Sequence, residues 1–295
     1  MYYHITRQPV PAIATCGGEG RSGNCTFSVP IRRIGAPAGV ASLPLHREVR
    51  LERVGHVGVV TLDRPQVLNA LSTTLLEDVS SSIQELDEDD GTSVIVITGA
   101  GDRAFSAGTD INELARLERD GRPPPGDEMD DFWWHLANTR KPTIGALNGL
   151  CYGAGALMAS LLDLRIGCER TRFRFLAVKV GRLNSTWTLP ILLGMPTAKE
   201  LLFTGRVVEA EEALRIGLLN RLVTSDQVLS TALEVAHSIA ANNQRMVQGA
   251  KRMLNEGIGS SFRDRYDREG VALRGPLRTE PVDEAFKEFL ARKIS

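Results

Sequence analysis

Two short stretches carry the residue types from which an electrophile-stabilising site can be built. FSAGTD, at Phe105 to Asp110, and YGAGA, at Tyr152 to Ala156, each follow a strand-like run, pass through small residues and open a helix-like run. The first N–H groups of a helix have no partner inside it and carry the positive end of its dipole. Small residues let that backbone come close to a bound atom. Two such ends aimed at one point would hold a carbonyl oxygen that becomes negative during a reaction. The turn that follows the second loop carries Leu157, which is neither acid nor base.

Side chains that could act as reagents beside these loops are few. His135, next to Trp133 and Trp134 on a helix-like segment, has the residue type of a base near neutral pH. A lone histidine on an apolar helix is more commonly a packed or solvated residue. Glu113 stands one turn into the helix after Thr109, where it can reach a site or serve as a first-turn acid favoured by the helix dipole. Asp110 suits the N-cap of the same helix. The two tryptophans can line an acyl pocket or pack against the loop before them. Arg172 and Arg174 flank Phe173 as a solvated strand face would. Cys16, Cys25, Cys151 and Cys168 are widely spaced and form no zinc or redox pattern, and two of them lie in apolar surroundings where a reduced thiol behaves as a small hydrophobe, which favours a reducing compartment.

The elements that must hold these residues follow from the rest of the chain. With 295 residues, 42% of them hydrophobic, one large core or two modest ones can be buried. The net charge of -1, with no block of basic residues alternating with aromatics, excludes a global case for nucleic acid. The apolar runs are too short to cross a bilayer, so a soluble protein is expected. Residues 1–46 are rich in Gly, Pro, Ser and Arg and predict a loose extension, with an organellar transit peptide as the alternative.

From Glu48 the pattern becomes regular. EVRLERV and HVGVVTL predict a hairpin around Gly55, and DRPQVLNALS a turn-rich loop. Ser72 can cap a helix carrying Leu75, Leu76, Val79, Ile83 and Leu86 on one face. The strand-like run SVIVITG, a helix from Ile111, a Pro-rich loop over 118–128, a helix from about Asp130 to Thr139 and the strand TIGALN follow. A helix at Ala156, the strand LRIGC and helical pieces at Leu189 to Leu193 and Thr197 to Phe203 come next. Alternating strands and helices predict an α/β fold. From Ser225 the signals are helical, with Leu229, Leu233, Ala236 and Ile239 on one face and Phe286, Phe289 and Leu290 near the end. Such a tail can pack back on the core or onto a second subunit.

DRPQVLNALS, AFSAGTDI, KPTIGALNGLCYGAGALMASLLDLRI, LLFTGRVVEAEEALRIGLLNRLV and EAFKEFLARK, in this order and spacing, resemble the enoyl-CoA hydratase/isomerase (crotonase) family over about residues 48 to 293. The resemblance implies a spiral of ββα units over residues 47–223 and a helical oligomerisation region over 224–295 that builds a homotrimer or a dimer of trimers. It implies an acyl-CoA thioester as partner, no nucleic acid or membrane, and no separate cofactor, because CoA enters as part of the substrate. It implies a cytoplasmic location, or an organellar matrix if residues 1–46 are a transit peptide. The implied oxyanion hole consists of the Thr109 and Ala154 amides. The implied substrate-binding residues are Arg64, Val67, Ala107, Gly108, Thr109, Asp110, Gly153, Ala154, Leu157 and Ala177. Asp163, by the same resemblance, is a structural turn acid.

Where family hydratases carry two glutamates, this chain has Leu157 and Ala177. Each lost acid or base would remove roughly 10²–10⁴-fold in rate, so ordinary hydration is not expected by that route. The Gly-rich loop of the family is shortened to GRLNSTWTLP, where Asn184, Ser185 and Thr186 do not titrate near neutral pH. Two basic positions associated with CoA read Asn112 and Gln66, while Arg64 remains able to meet phosphate. The expected activity is stabilisation of a thioester enolate by an enzyme of this family, with a non-catalytic acyl-CoA-binding homologue as the alternative. His135, Glu113 or a carboxylate of the substrate itself would manage the proton or its equivalent.

Overall fold

The computed structural model describes residues 47–121 and 127–287. The extension at 1–46, residues 122–126 of the Pro-rich loop, and Phe289 and Leu290 lie outside them, while the two ends of that loop are helical. The hairpin forms as its alternation predicts: β1 (Val49–Val54) and β2 (Val57–Leu62) pair antiparallel, with Val54 opposite Val57. After a short 3-10 turn at Pro65–Val67, α1 (Thr73–Glu88) starts where Ser72 Oγ accepts the Leu75 N–H at 3.0 Å. Its five predicted apolar residues are all buried.

The chain then repeats one move. β3 (Val94–Gly99) lies in one sheet and β4 (Ala104–Ser106) in another, followed by α2 (Ile111–Arg119) and α3 (Asp127–Ala137). The same step recurs with β5 (Thr143–Leu147), β6 (Leu150–Tyr152) and α4 (Ala154–Leu161). It recurs again with β7 (Leu164–Cys168) and β8 (Arg172–Arg174), which lead through α5 (Leu189–Leu193) and α6 (Met195–Thr204). β9 (Val207–Glu209), α7 (Ala210–Arg215) and β10 (Arg221–Val223) complete the turn. One sheet has the order β1-β2-β3-β5-β7-β10, parallel from β2 onward. The other has the order β4-β6-β8-β9, with β4, β6 and β8 parallel. Each repeat thus adds one strand to each sheet, which is the expected spiral of ββα units.

The larger sheet is buried on both faces, which explains the unbroken apolar run of β3. Ile95, Ile97, Leu62 and Leu147 face α1 and α4, whereas Val94, Val96, Ile144 and Ile166 face α8 (Val228–Ala240). The residues of α8 that bury are Val228, Ala232 and Ala236, and Leu229 stays 40% exposed, contrary to the predicted face. The two alanines let the helix axis approach the sheet, so Leu233 and Ile239 flank the contact instead of centring it. α8 therefore packs back on the core, and residues from 224 onward do not all stand apart from it.

The remaining helices are α9 (Gln244–Glu256), α10 (Phe262–Arg274) and α11 (Val282–Ala285). Lys251 ties α9 to the core through Asp163 Oδ2 at 2.7 Å and the Lys141 carbonyl at 3.0 Å. Asp163 also accepts from the amide and hydroxyl of Thr143, so it is a structural acid. Cys151 and Cys168 are buried and unbridged, and burial pushes the Cys151 thiol up. Among the described residues no helix is long and apolar enough to cross a membrane.

Candidate active site

Both small-residue loops end at the smaller sheet. Ser106 closes β4, and its hydroxyl accepts from the Gly108 amide at 3.1 Å while donating to the Asn69 carbonyl. Gly108 has φ +93, and a Cβ there would fall 2.5 Å from the Tyr152 carbonyl oxygen and 3.1 Å from the Ala154 nitrogen. Only glycine fits this backbone and this closeness. The first loop is thereby pressed against the start of α4. Gly153, with φ 52 and ψ -119, turns the chain from β6 into α4 and donates its own amide to the Arg174 carbonyl.

The consequence is a pair of open amides. Thr109 forms a parallel bridge with Leu71, in which Leu71 N–H donates to the Gly108 carbonyl and Asp110 N–H donates to the Leu71 carbonyl. That pattern turns the N–H of Thr109 itself away from Leu71. Ala154 is the first residue of α4, so its amide has no acceptor within the helix. Among the described residues neither amide has a hydrogen-bond acceptor. Ala154 is not among the described non-glycine residues with positive φ, so its methyl group is accommodated without strain. Ser185, buried at φ +59, is one of those residues.

Thr109 and Ala154 line one cavity of about 400 Å³. Its apolar wall comes from Leu71, Leu76, Leu114, Leu117, Trp133 and Leu157, and its polar groups from Thr73, Asp110, Glu113, Arg182 and Asn184. The two acids differ in how fully they are used. Asp110 Oδ1 accepts the amides of Asn112 and Glu113, and Oδ2 meets Arg64 Nη1 at 3.0 Å. Burial alone would raise this carboxyl, but the Glu113 amide and the Arg64 guanidinium outweigh it and hold it below the usual carboxylate range. Glu113 accepts the Thr73 amide through Oε2 at 2.9 Å, and its Oε1 has no partner among the described residues.

Other expected residues sit elsewhere. His135 is exposed and lines a separate recess between α1 and α3. Two helical steps of about 100° each carry it roughly 200° around from Trp133, so only the tryptophan reaches the cavity. Arg64 does not line the cavity: its guanidinium is held by Glu48, Asp110 and the Ala70 carbonyl, leaving it poorly placed to meet phosphate. Val67, on the 3-10 turn, and Ala107, whose amide donates to Leu68, are not in the lining. Gly108 and Gly153 shape the wall from behind. Ala177 starts a 3-10 turn and is buried outside the lining, whereas Leu157, 5% exposed, is in it.

Thr186 is exposed and Ser185 buried, so of that group only Asn184 lines the cavity. Trp134 turns outward, 6.4 Å from the Trp187 ring. Arg172 pairs with Glu209 on the surface, as a solvated strand face would. Sequence reasoning passed over Thr73, Leu114, Leu117 and Arg182, because their approach to the loops is set by packing between distant segments. An arginine between Gly181 and Leu183 was the one available signal.

Comparison with known proteins follows the same line. A family described as enoyl-CoA hydratase/isomerase matches residues 52–293. The short-chain-enoyl-CoA hydratase of Clostridium acetobutylicum is 33% identical over 248 residues, spanning 83% of this chain and 95% of that protein. The crotonyl-CoA hydratase of Syntrophomonas wolfei is 29% identical over 251 residues, spanning 84% and 96%. Among solved structures, an enoyl-CoA hydratase from Bacillus anthracis is similar with a TM-score of 0.74 at 27% identity, covering 83% of this chain and 97% of that one.

Proposed function

The chain belongs to the enoyl-CoA hydratase/isomerase family, and on that footing we propose that it is an enzyme acting on acyl-CoA thioesters through an oxyanion hole made by the Thr109 and Ala154 amides. One observation carries this reading. Two amides without acceptors line the same cavity, on loops so close that a Cβ at Gly108 would sit 3.1 Å from the Ala154 nitrogen. A thioester oxygen seated there gains two hydrogen bonds that strengthen as it turns into an enolate. Each donor is worth roughly 3 kcal/mol in the transition state.

Proton handling falls to Glu113, whose Oε1 is open while Asp110 is saturated. The first-turn amide of α1, from Thr73, holds the other Glu113 oxygen at 2.9 Å and so orients the carboxylate. Leu157 and Ala177, where family hydratases carry glutamates, leave no paired carboxylates to deliver and protonate a water. Hydration is therefore not the preferred reaction, and enolate formation with proton transfer at the acyl Cα is. CoA is part of the substrate. The same membership supports a homotrimer or a dimer of trimers. The cytoplasm is the proposed compartment, supported by the buried free thiols, with an organellar matrix as the alternative.

The apolar face of Leu157 in the cavity favours a second reading, a non-catalytic acyl-CoA-binding protein. Assays with crotonyl-CoA and malonyl-type CoA esters, with exchange of the acyl Cα proton in butyryl-CoA and calorimetric titration alongside, separate the two. Exchange or turnover that drops in Glu113→Gln supports the enzyme. Tight binding with neither supports the binding protein, and hydration at the rate of family hydratases overturns the proton-handling scheme.

A further inference from the structure

We propose, resting on the thioester reading above, that Arg182 receives an anionic group of the substrate: a carboxylate on the acyl chain or a phosphate of the CoA moiety. Arg182 is the sole cation among the described residues lining the cavity, whose other charged members are the acids Asp110 and Glu113. Its backbone is anchored, with the Arg182 amide donating to the Ala177 carbonyl at 2.9 Å. Its guanidinium is not. Among the described residues its one ion pair is with Glu118 at 3.5 Å, and the two side chains are 54% and 57% exposed. An exposed pair at that separation contributes little, so an incoming oxyanion can displace Glu118 and take the planar fork of donors.

Among the described residues that line the cavity no other cation competes for the task. Arg64 is consumed by Glu48, Asp110 and Ala70, and positions 66 and 112 are a glutamine and an asparagine. An acyl carboxylate paired with arginine is stabilised in its charged ground state, which opposes loss of CO₂. The group held by Arg182 is therefore a handle for recognition that survives the reaction.

Calorimetric titration of wild type, Arg182→Gln and Glu118→Gln with four ligands tests this: glutaryl-CoA, butyryl-CoA and the pantetheine thioesters of both acids. Arg182→Gln should weaken binding about ten- to hundredfold. A loss confined to the two glutaryl ligands identifies the acyl carboxylate. A loss confined to the two CoA thioesters identifies a phosphate. Glu118→Gln, which frees the guanidinium, should bind the affected ligands as tightly as wild type or tighter. Wild-type affinity of Arg182→Gln for all four ligands overturns the inference alone if wild type binds butyryl-CoA. Failure of wild type to bind any thioester overturns the thioester reading as well. The side chain is exposed, so an unchanged thermal midpoint should accompany the loss.

Discussion

A backbone N–H cannot be trimmed like a side chain, but it can be removed where proline is tolerated. Ala154 is such a place. It is the first residue of α4, the position where proline costs a helix nothing. Gly153 has no Cβ for a following proline ring to strike, and its ψ of -119 lies outside the α region that such a ring disfavours. Ala154→Pro should lower kcat on a thioester that turns over by about 10²–10³-fold, with a thermal midpoint near wild type; unchanged turnover would remove Ala154 from the proposed role. Asp110 makes a second residue-scale prediction. Its folded pKa lies below the reference of 3.8, so its charge stabilises the fold above the unfolded pKa and that contribution is lost as pH falls through the folded one. Asp110→Asn keeps a good N-cap and removes only the charge. The stability gap between wild type and this variant, measured by urea unfolding, should be full near neutrality and should close below about pH 4. A gap independent of pH would mean that the charge plays no part.

At the scale of elements, the site depends on how tightly the first loop presses on the start of α4. Gly108→Ala forces a methyl group toward the Tyr152 carbonyl at a positive φ, and strain of this kind costs about 1–3 kcal/mol before the clash is counted. Urea unfolding should register that loss, and a variant as stable as wild type would show that the loops are not packed as described. Ser72→Ala should cost about 1 kcal/mol in the same measurement, through the lost cap of α1. Elements with a local cause were legible in the sequence: α1 from its cap and stripe, β3 from its apolar run, α5 from Leu189 to Leu193 at its observed bounds. The two loops were legible for the same reason, because small residues between a strand and a helix leave a local mark. What sequence left out is tertiary. Whether His135 or Trp133 faces the cavity depends on the rotation of α3, and whether Arg64 is free depends on Glu48 and Asp110 arriving from other segments. Of the predicted face of α8, Ala236 buries and Leu233 and Ile239 flank the contact, but Leu229 was misplaced because alanines, weak signals of burial, set the closest approach to the sheet.

At the scale of the whole molecule, large apolar side chains remain uncovered on several helices among the described residues. Ile191, Met195 and Phe203 are exposed on α5 and α6, and Phe262 and Tyr266 on α10, with Phe262 at 90%. Surfaces of this kind mark association more often than chance exposure, and the proposed trimer would use them. Analytical ultracentrifugation should return a mass of three or six chains, whereas a monomer at micromolar concentration would contradict the assembly. The spiral that brings β4 and β6 side by side also brings their loops together, so geometry at the site and architecture stand or fall as one. The most direct test is a crystal structure with a bound, unreactive acyl-CoA thioether or thioester analogue. The expected result is a carbonyl oxygen about 2.7–3.1 Å from both the Thr109 and the Ala154 nitrogens; an oxygen that meets neither amide, or a ligand seated outside this cavity, would contradict it.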